Sequence, residues 1–313
     1  MISIVIPTYN EKTNIKHVIG EIKSAVLDSG VKSYEIIVVD DHSSDGTFEA
    51  VDALKAGEVR CVRLSRQSGS HVALRAGIKK AKGEAVLCIS ADGQDDPACL
   101  KKMLEKRKAG AAVVWALRNN RKNEPWHNRK AAELFYKILF SLLSTKGTKI
   151  DLSRADFFLL DRIVVDAINS CVERNTSLFG LIAWLGFNQD SVEYERRRRL
   201  SGSSKWKFTS RFRLAKDWII AFSGVPIKIA SLFGMIMSVI GGLGAIYIVV
   251  DKLFFTYILA GWTTIVVLIL MMSGIQLTIL GVVGEYLWRN LDESRKRPLY
   301  FIEKSSSPEE GSK

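Results

Sequence analysis

Residues 34–47 read Tyr-Glu-Ile-Ile-Val-Val-Asp-Asp-His-Ser-Ser-Asp-Gly-Thr. An apolar run, interrupted only by Glu35, passes directly into a polar cluster that closes on glycine. Continuous rather than alternating hydrophobicity marks a strand covered on both faces. The same pattern recurs at 2–7, ahead of the polar turn 8–13, and at 59–64, 85–90 and 111–116. Between these runs the apolar spacing is helical: Ile15, Val18, Ile19, Ile22 and Val26 fall on one face of a helix predicted over 14–27. Further helices are expected at 48–56, 72–81 and 100–109. Strands alternating with helices predict an α/β fold with a mostly parallel sheet and helices on both faces. Its ligand edge should lie at the carboxyl ends of the strands, where the polar clusters gather.

The second half of the chain reads differently. Residues 229–250 are 22 positions without a charge, and 253–284 are another 32. A helix of 22 residues spans about 33 Å, enough for a hydrocarbon core of roughly 30 Å. The expected organisation is a cytoplasmic domain over 1–209, an amphipathic juxtamembrane segment over 210–228, and a two-helix transmembrane hairpin at 229–250 and 263–284 joined by 251–262. A cytoplasmic tail over 285–313, disordered from 304 onward, completes it. Basic residues flank both spans, which predicts cytoplasmic flanks at the plasma membrane. The chain carries 45 basic against 33 acidic residues, and nine of the basic ones fall between 193 and 216 beside two glutamates. That block, next to a span, fits anionic headgroups better than nucleic acid. The four cysteines form no CxxC pair, and the short apolar run 1–9, which passes straight into polar turn residues, is not expected to act as a signal peptide.

Acidic residues at strand ends suit a divalent cation carrying phosphates. Asp92, in the run 91–97 (Ala-Asp-Gly-Gln-Asp-Asp-Pro), is the foremost ligand candidate. Asp40 and Asp41 suit hydrogen bonds to a base or ribose; each is equally suited to capping a helix or forming a turn. His71 is open between a phosphate contact, a cap and core packing. Asp156 opens an apolar run and is open between orienting an acceptor, acting as a base and shaping a turn. The stripe over 131–143 fits either a membrane interface or core packing. No GxGxxG or GxxxxGK[ST] is present, which argues against a dinucleotide oxidoreductase and a P-loop enzyme.

Taken in order, several segments resemble the polyprenyl-phosphate glycosyltransferases of the GT-A, glycosyltransferase family 2 type. They are residues 5–11 (Val-Ile-Pro-Thr-Tyr-Asn-Glu), 38–41 with 44–47, 73–77 (Ala-Leu-Arg-Ala-Gly) and 92–95 (Asp-Gly-Gln-Asp). The Asp156 segment, Glu173-Arg174-Asn175, and the arginines 196–199 leading into Gly202-Ser203-Ser204-Lys205-Trp206 follow. That family includes bactoprenol glucosyltransferases, the nearer likeness, and dolichyl-phosphate mannose synthases. The resemblance implies that Pro7, Tyr9, Glu11, Asp40, Asp41 and Gln94 bind a nucleotide sugar, UDP-linked rather than GDP-linked. It implies Mg²⁺ or Mn²⁺ at Asp92, with Ser90 as a weak partner, and Asp156 as the acceptor-side base. Arg198, Arg199 and Lys205 would hold a polyprenyl (undecaprenyl) phosphate. The implied reaction is inverting transfer, glucose first, with mannose or an amino sugar as alternatives; a membrane-anchored nucleotide-sugar scaffold is the alternative of another class. Subunits would associate through the spans. Ser90 stands where the family has the first Asp of Asp-x-Asp, Ala155 where glycine is usual, and Phe158 where arginine is frequent.

Overall fold

The structure, a computed structural model, describes residues 1–54, 56–119, 154–171, 173–174, 176–197, 225–254 and 261–306. Arg198, Arg199, Lys205, the stripe at 131–143 and the segment 210–224 lie outside them. The chain divides into two compact units, Met1–Ala215 with Pro298–Lys313, and Lys216–Arg297.

The first unit is built on one mixed sheet in the order β7-β5-β6-β4-β1-β2-β3-β8. Its strands are β1 (Ile2–Thr8), β2 (Tyr34–Asp40), β3 (Val59–Leu64), β4 (Ala85–Cys88), β5 (Val113–Arg118), β6 (Ala155–Asp161), β7 (Gln189–Tyr194) and β8 (Ile302–Ser305). β1 pairs in parallel with both β2 and β4, and β2 with β3. β6 runs antiparallel to its neighbours β4 and β5, β7 is parallel to β5, and β8 is antiparallel to β3. All five strands expected from the sequence are present. β6, β7 and β8 were not expected as strands, and Lys304 and Ser305, read as the start of a disordered tail, belong to β8.

Alternation along the central strands divides the core in two. Ile4, Ile6, Ile36 and Val38 pack with Ile15, Val18 and Ile22 of α1 (Ile15–Asp28) and with Leu100 and Met103 of α4 (Leu100–Lys108). Val5, Ile37 and Val39 face the other way. They pack with Ala73 and Leu74 of α3 (Ser70–Lys80), Val164 and Val165 of α5 (Arg162–Ser170), and Leu181 and Ile182 of α6 (Leu178–Trp184). α2 (Thr47–Asp52) is one and a half turns long. α3 lies so close on β1 that a Cβ added at Gly77 would fall 2.3 Å from Val5 Cγ1. Phe158 is buried, 5.3 Å from the rings of both Trp115 and Phe179, so it serves the core rather than a phosphate.

The second unit holds α7 (Val225–Phe254) and α8 (Trp262–Ser294), of 30 and 33 residues. A Cβ at Gly234 of α7 would meet Ile279 Cδ1 of α8 at 3.9 Å. Counted over the described residues alone, no helix is long and apolar enough to cross a membrane. The hairpin expected at 229–250 and 263–284 is therefore not found among them as a pair of spans, and both helices extend beyond those bounds.

Candidate active site

Parallel pairing places the carboxyl ends of β1, β2 and β4 on one edge. Thr8 lies opposite Asp40, and Val5 opposite Cys88. Beyond β1 and β2 the backbone turns through two non-glycine residues in the left-handed region, Asn10 (φ 55°) and His42 (φ 60°), a conformation uncommon enough to mark a constrained turn. The turns are tied together: Asn10 N donates to Ser43 Oγ at 2.8 Å, and Ser44 N donates to Asn10 Oδ1 at 2.9 Å. Glu11 N donates to Thr47 Oγ1 at 3.0 Å, while Glu11 Oε2 accepts from Asn14 Nδ2 at 2.7 Å. Pro7 and Tyr9 are half-buried on the same edge.

Asp40 is fully buried and accepts from the Ser43 backbone N at 3.2 Å and from the Ser43 hydroxyl; Arg63 Nη1 lies 3.8 Å away. Burial raises its pKa above the ordinary carboxylate value, opposed by these hydrogen bonds. Both oxygens of Asp41 are used by the loop into α3, accepting from Ser68 N at 2.7 Å and Gly69 N at 2.8 Å. These contacts tie the end of β2 to the loop that leads into α3.

The reversed strand β6 brings a second carboxylate to this edge. Cys88 pairs with Phe158, and continuing that antiparallel register by two residues sets Ser90 across from Asp156. Ser90 Oγ contacts Asp92 Oδ1 at 2.8 Å and Asp95 Oδ2 at 2.5 Å. Tyr194, at the carboxyl end of β7, bridges the rest: its hydroxyl is 3.0 Å from Asp95 Oδ1 and 2.7 Å from Asp156 Oδ2. Burial lifts the Asp95 pKa to about 6, with the Ser90 hydroxyl opposing and Asp156 and Asp92 adding to the rise. Burial and the same two carboxylates, Asp95 and Asp156, push the Tyr194 phenol well above its usual range, so it stays protonated. Its single proton cannot serve two carboxylates, so both contacts are hydrogen bonds only when one of the two carboxyls carries a proton of its own.

Two arginines complete the cluster. Arg118 ends β5 in register with Tyr194, and its Nη1 lies 3.6 Å from Asp156 Oδ1. Arg196 Nη1 is also 3.6 Å from Asp156 Oδ1, and its Nη2 donates to Gln94 Oε1 at 3.1 Å. Burial alone would lower the Arg196 pKa, but Asp156 and Asp95 raise it. Arg197 locks the same segment to the loop after β4: its N donates to Gln94 O at 3.0 Å, and its guanidinium meets Glu21 at 2.7 Å and Asp96 at 2.8 Å. His71 packs edge-on to Phe179 at 5.6 Å, and burial lowers its pKa to about 4. It is neutral near pH 7 and belongs to core packing.

The structure thus gathers Pro7, Tyr9, Glu11 and Asp40 at β1 and β2, and Ser90, Asp92, Gln94 and Asp156 at β4 and β6. Asp95, Tyr194 and Arg118 have no role of their own in the sequence reading, and Arg196 enters it only as part of the basic block over 193–216. The clue for Arg196 lay in the quoted arginine run; no local pattern pointed to Tyr194. A cluster of carboxylates with two guanidinium groups at a strand edge can bind phosphate oxygens and orient an acidic acceptor.

Residues 3–168 match the family described as Glycosyl transferase family 2. The uncharacterized glycosyltransferase YkcC of Bacillus subtilis (strain 168) is 38% identical over 305 residues, covering 97% of this chain and 93% of that protein. The bactoprenol glucosyl transferase of Shigella phage SfII is 35% identical over 308 residues, covering 97% and 98%. Among solved structures, glucosyl-3-phosphoglycerate synthase from Mycobacterium tuberculosis, in complex with Mn²⁺, UDP and phosphoglyceric acid, aligns with a TM-score of 0.51 at 19% identity. The alignment covers 70% of this chain and 76% of that one. That structural likeness concerns the GT-A-like fold, whereas the sequence match runs over more than half of the chain and the full-length relatives over nearly all of it. The chain is a glycosyltransferase and belongs to glycosyl transferase family 2.

Proposed function

We propose that this enzyme transfers glucose from UDP-glucose to a polyprenyl phosphate, with inversion, at the cytoplasmic face of the plasma membrane. The observation that carries the reading is the convergence of Asp92, Asp156, Arg118 and Arg196 on the sheet edge next to Asp40. The 35% identical phage relative, a bactoprenol glucosyl transferase, supports the acceptor and the sugar. In the reaction a phosphate oxygen of the lipid forms a bond to the anomeric carbon, and the bond from that carbon to the nucleoside diphosphate breaks. Asp40 holds the nucleoside; Arg118 and Arg196 hold phosphate oxygens. Asp156 already accepts from Tyr194 and faces both arginines, and an acceptor phosphate is largely ionised near neutral pH. Its role is to set those arginines rather than to remove a proton.

A divalent cation, Mg²⁺ or Mn²⁺, fits here only together with a ligand. Asp92 and the Ser90 hydroxyl are hard oxygen donors, but among the described residues no group of three His, Cys, Asp or Glu side chains is arranged to hold a metal. Diphosphate oxygens would complete the shell. An ion held there would offset charge on the departing diphosphate.

The membrane placement rests on sequence and surface. The charge-free stretches of 22 and 32 residues lie within α7 and α8 or overlap them. Large apolar side chains such as Leu232, Met235, Leu243, Leu268, Leu277 and Leu280 are exposed along both helices. Such a surface needs lipid or another apolar partner. The test is a donor screen with undecaprenyl phosphate in detergent, with and without Mn²⁺. Labelled glycolipid from UDP-glucose is expected, and no glycolipid from any donor would refute the reading.

A further inference from the structure

β8 follows α8 in the chain, yet it forms the sheet edge beside the proposed nucleotide subsite. Ser65 N donates to Phe301 O at 2.9 Å, Ser306 N to Cys61 O at 2.9 Å, and Cys61 N to Ser306 Oγ at 2.7 Å. The pairing is irregular at one point. Val62 pairs with Ser305, Arg63 with Lys304 and Leu64 with Ile302, so Glu303 is the extra residue of a bulge. Bulges re-aim side chains, and are frequent beside active sites. Here Glu303 Oε2 lies 3.1 Å from Arg63 Nε and 3.3 Å from His42 Nδ1. Arg63 is the in-register neighbour of Asp40 on β3, with Nη1 3.8 Å from its carboxylate. His42 follows Asp40 and Asp41 in a left-handed turn, and its Nδ1 also meets Leu64 O at 3.2 Å. One carboxylate, from the strand that follows the long helices, therefore fixes a residue on either side of Asp40.

We infer that Glu303 is a positioning residue of the nucleotide subsite, and that docking of β8 and binding of the nucleoside diphosphate favour each other. The inference rests on the reading of Asp40 given above. Without Glu303, Arg63 loses the contact that aims its guanidinium at Asp40, and the His42 side chain keeps only its contact with Leu64 O. Linkage makes the effect reciprocal: whatever factor β8 docking adds to nucleotide affinity, the nucleotide adds to docking.

The experiment uses the full chain in detergent and compares Glu303→Ala, Glu303→Gln and, as a control on the same strand, Lys304→Ala. UDP binding in Mn²⁺ is measured by calorimetry, and amide exchange over 301–306 by mass spectrometry with and without UDP. Glu303→Ala is expected to weaken UDP about fivefold, the lower end of typical coupling. Glu303→Gln should fall between that variant and the unaltered chain, and Lys304→Ala should match the unaltered chain. The donor KM should rise by the same factor with the lipid KM unchanged, a split that general destabilisation would not produce. UDP should slow exchange over 301–306 in the unaltered chain and do so less in Glu303→Ala. A folded Glu303→Ala or Glu303→Gln chain with unaltered UDP affinity would overturn the inference alone. An unaltered chain that bound neither UDP nor GDP would overturn the nucleotide reading and this inference with it.

Discussion

Replacing Tyr194 by Phe removes one oxygen from the centre of the cluster and little else. The ring of Tyr194 packs 5.1 Å from that of Phe157 and is buried, so its apolar contacts survive the change. What is lost is the bridge of 2.7 Å to Asp156 and 3.0 Å to Asp95. A hydrogen bond to a charged group contributes about 1.5–3 kcal/mol, and a buried acceptor left without its donor costs a similar amount. Part of that loss falls on the folded state before any substrate binds. Thermal unfolding should therefore move down by several degrees, at about 2–4 °C per kcal/mol for a domain of this size.

The remainder should appear in turnover. If half of the lower estimate is felt only when Asp156 must hold the two arginines around bound phosphate, kcat drops about fourfold; the whole of the upper estimate gives about 150-fold. A fall of about tenfold lies between these bounds. The assay is initial-rate transfer from UDP-glucose to undecaprenyl phosphate, with donor and acceptor varied independently, on protein whose folding has been checked at the assay temperature. The donor KM should change less than twofold, because Asp40 and its partners lie in a separate hydrogen-bonded group. A Tyr194→Phe enzyme with a lowered melting temperature but unchanged kcat would refute the reasoning, since the bridge would then be purely structural.

Asp156→Asn tests the role assigned to that carboxylate: the amide oxygen can still accept from Tyr194, so a loss of about tenfold in kcat is expected, against the 10²–10⁴-fold typical of a missing general base, with steady-state rates as the readout. Gly77→Ala drives a methyl to within 2.3 Å of Val5 Cγ1, and this overpacking should cost at least about 1–3 kcal/mol in denaturant unfolding. His71, with a folded pKa of about 4 against 6.5 for the free side chain, binds its proton in the unfolded state first. Stability should therefore fall as pH drops from 6.5 to 4, by about 2 kcal/mol after allowing for partial solvent access. His71→Phe should remove that part of the pH dependence in melting curves taken across the same range.

The strands of the parallel centre could be read from the sequence because burial on both faces leaves an unbroken apolar run. Residues 36–39 carry that mark without help from the rest of the chain. β6 has a similar run, Phe-Phe-Leu-Leu at 157–160, but nothing local declares that it is a strand running against its neighbours. β7 has only weak alternation, with Val192 and Tyr194 buried among more exposed positions. β8 is four residues, Ile-Glu-Lys-Ser, and would be solvated chain if β3 did not offer it an open edge. The same division runs through the site. Asp92 and Asp156 announce themselves as acids at the ends of apolar runs. Tyr194 gains its role only from the register of β5 with β7, and Arg118 from the same pairing. Asp95 differs from Asp96 in sequence by nothing that foretells its burial.

That reversed strand also explains how the site can be assembled. In a parallel sheet every strand delivers its carboxyl end to the ligand edge, and residues at strand starts lie on the far side. β6 enters the sheet in the opposite sense, so Asp156, its second residue, arrives at the edge where Ser90 and Asp92 leave β4. The neighbouring parallel strands β5 and β7 then end beside it with Arg118 and Tyr194, and the chain after β7 continues into Arg196. An acid placed this way is surrounded by strand ends from both sides before any ligand is present. It is half-buried, accepts from a phenol and faces two guanidinium groups, an arrangement that holds the carboxylate in one place. If the acceptor is a phosphate, which brings its own negative charge, an enzyme gains more from two well-aimed arginines than from a base. Asp156 supplies that aim.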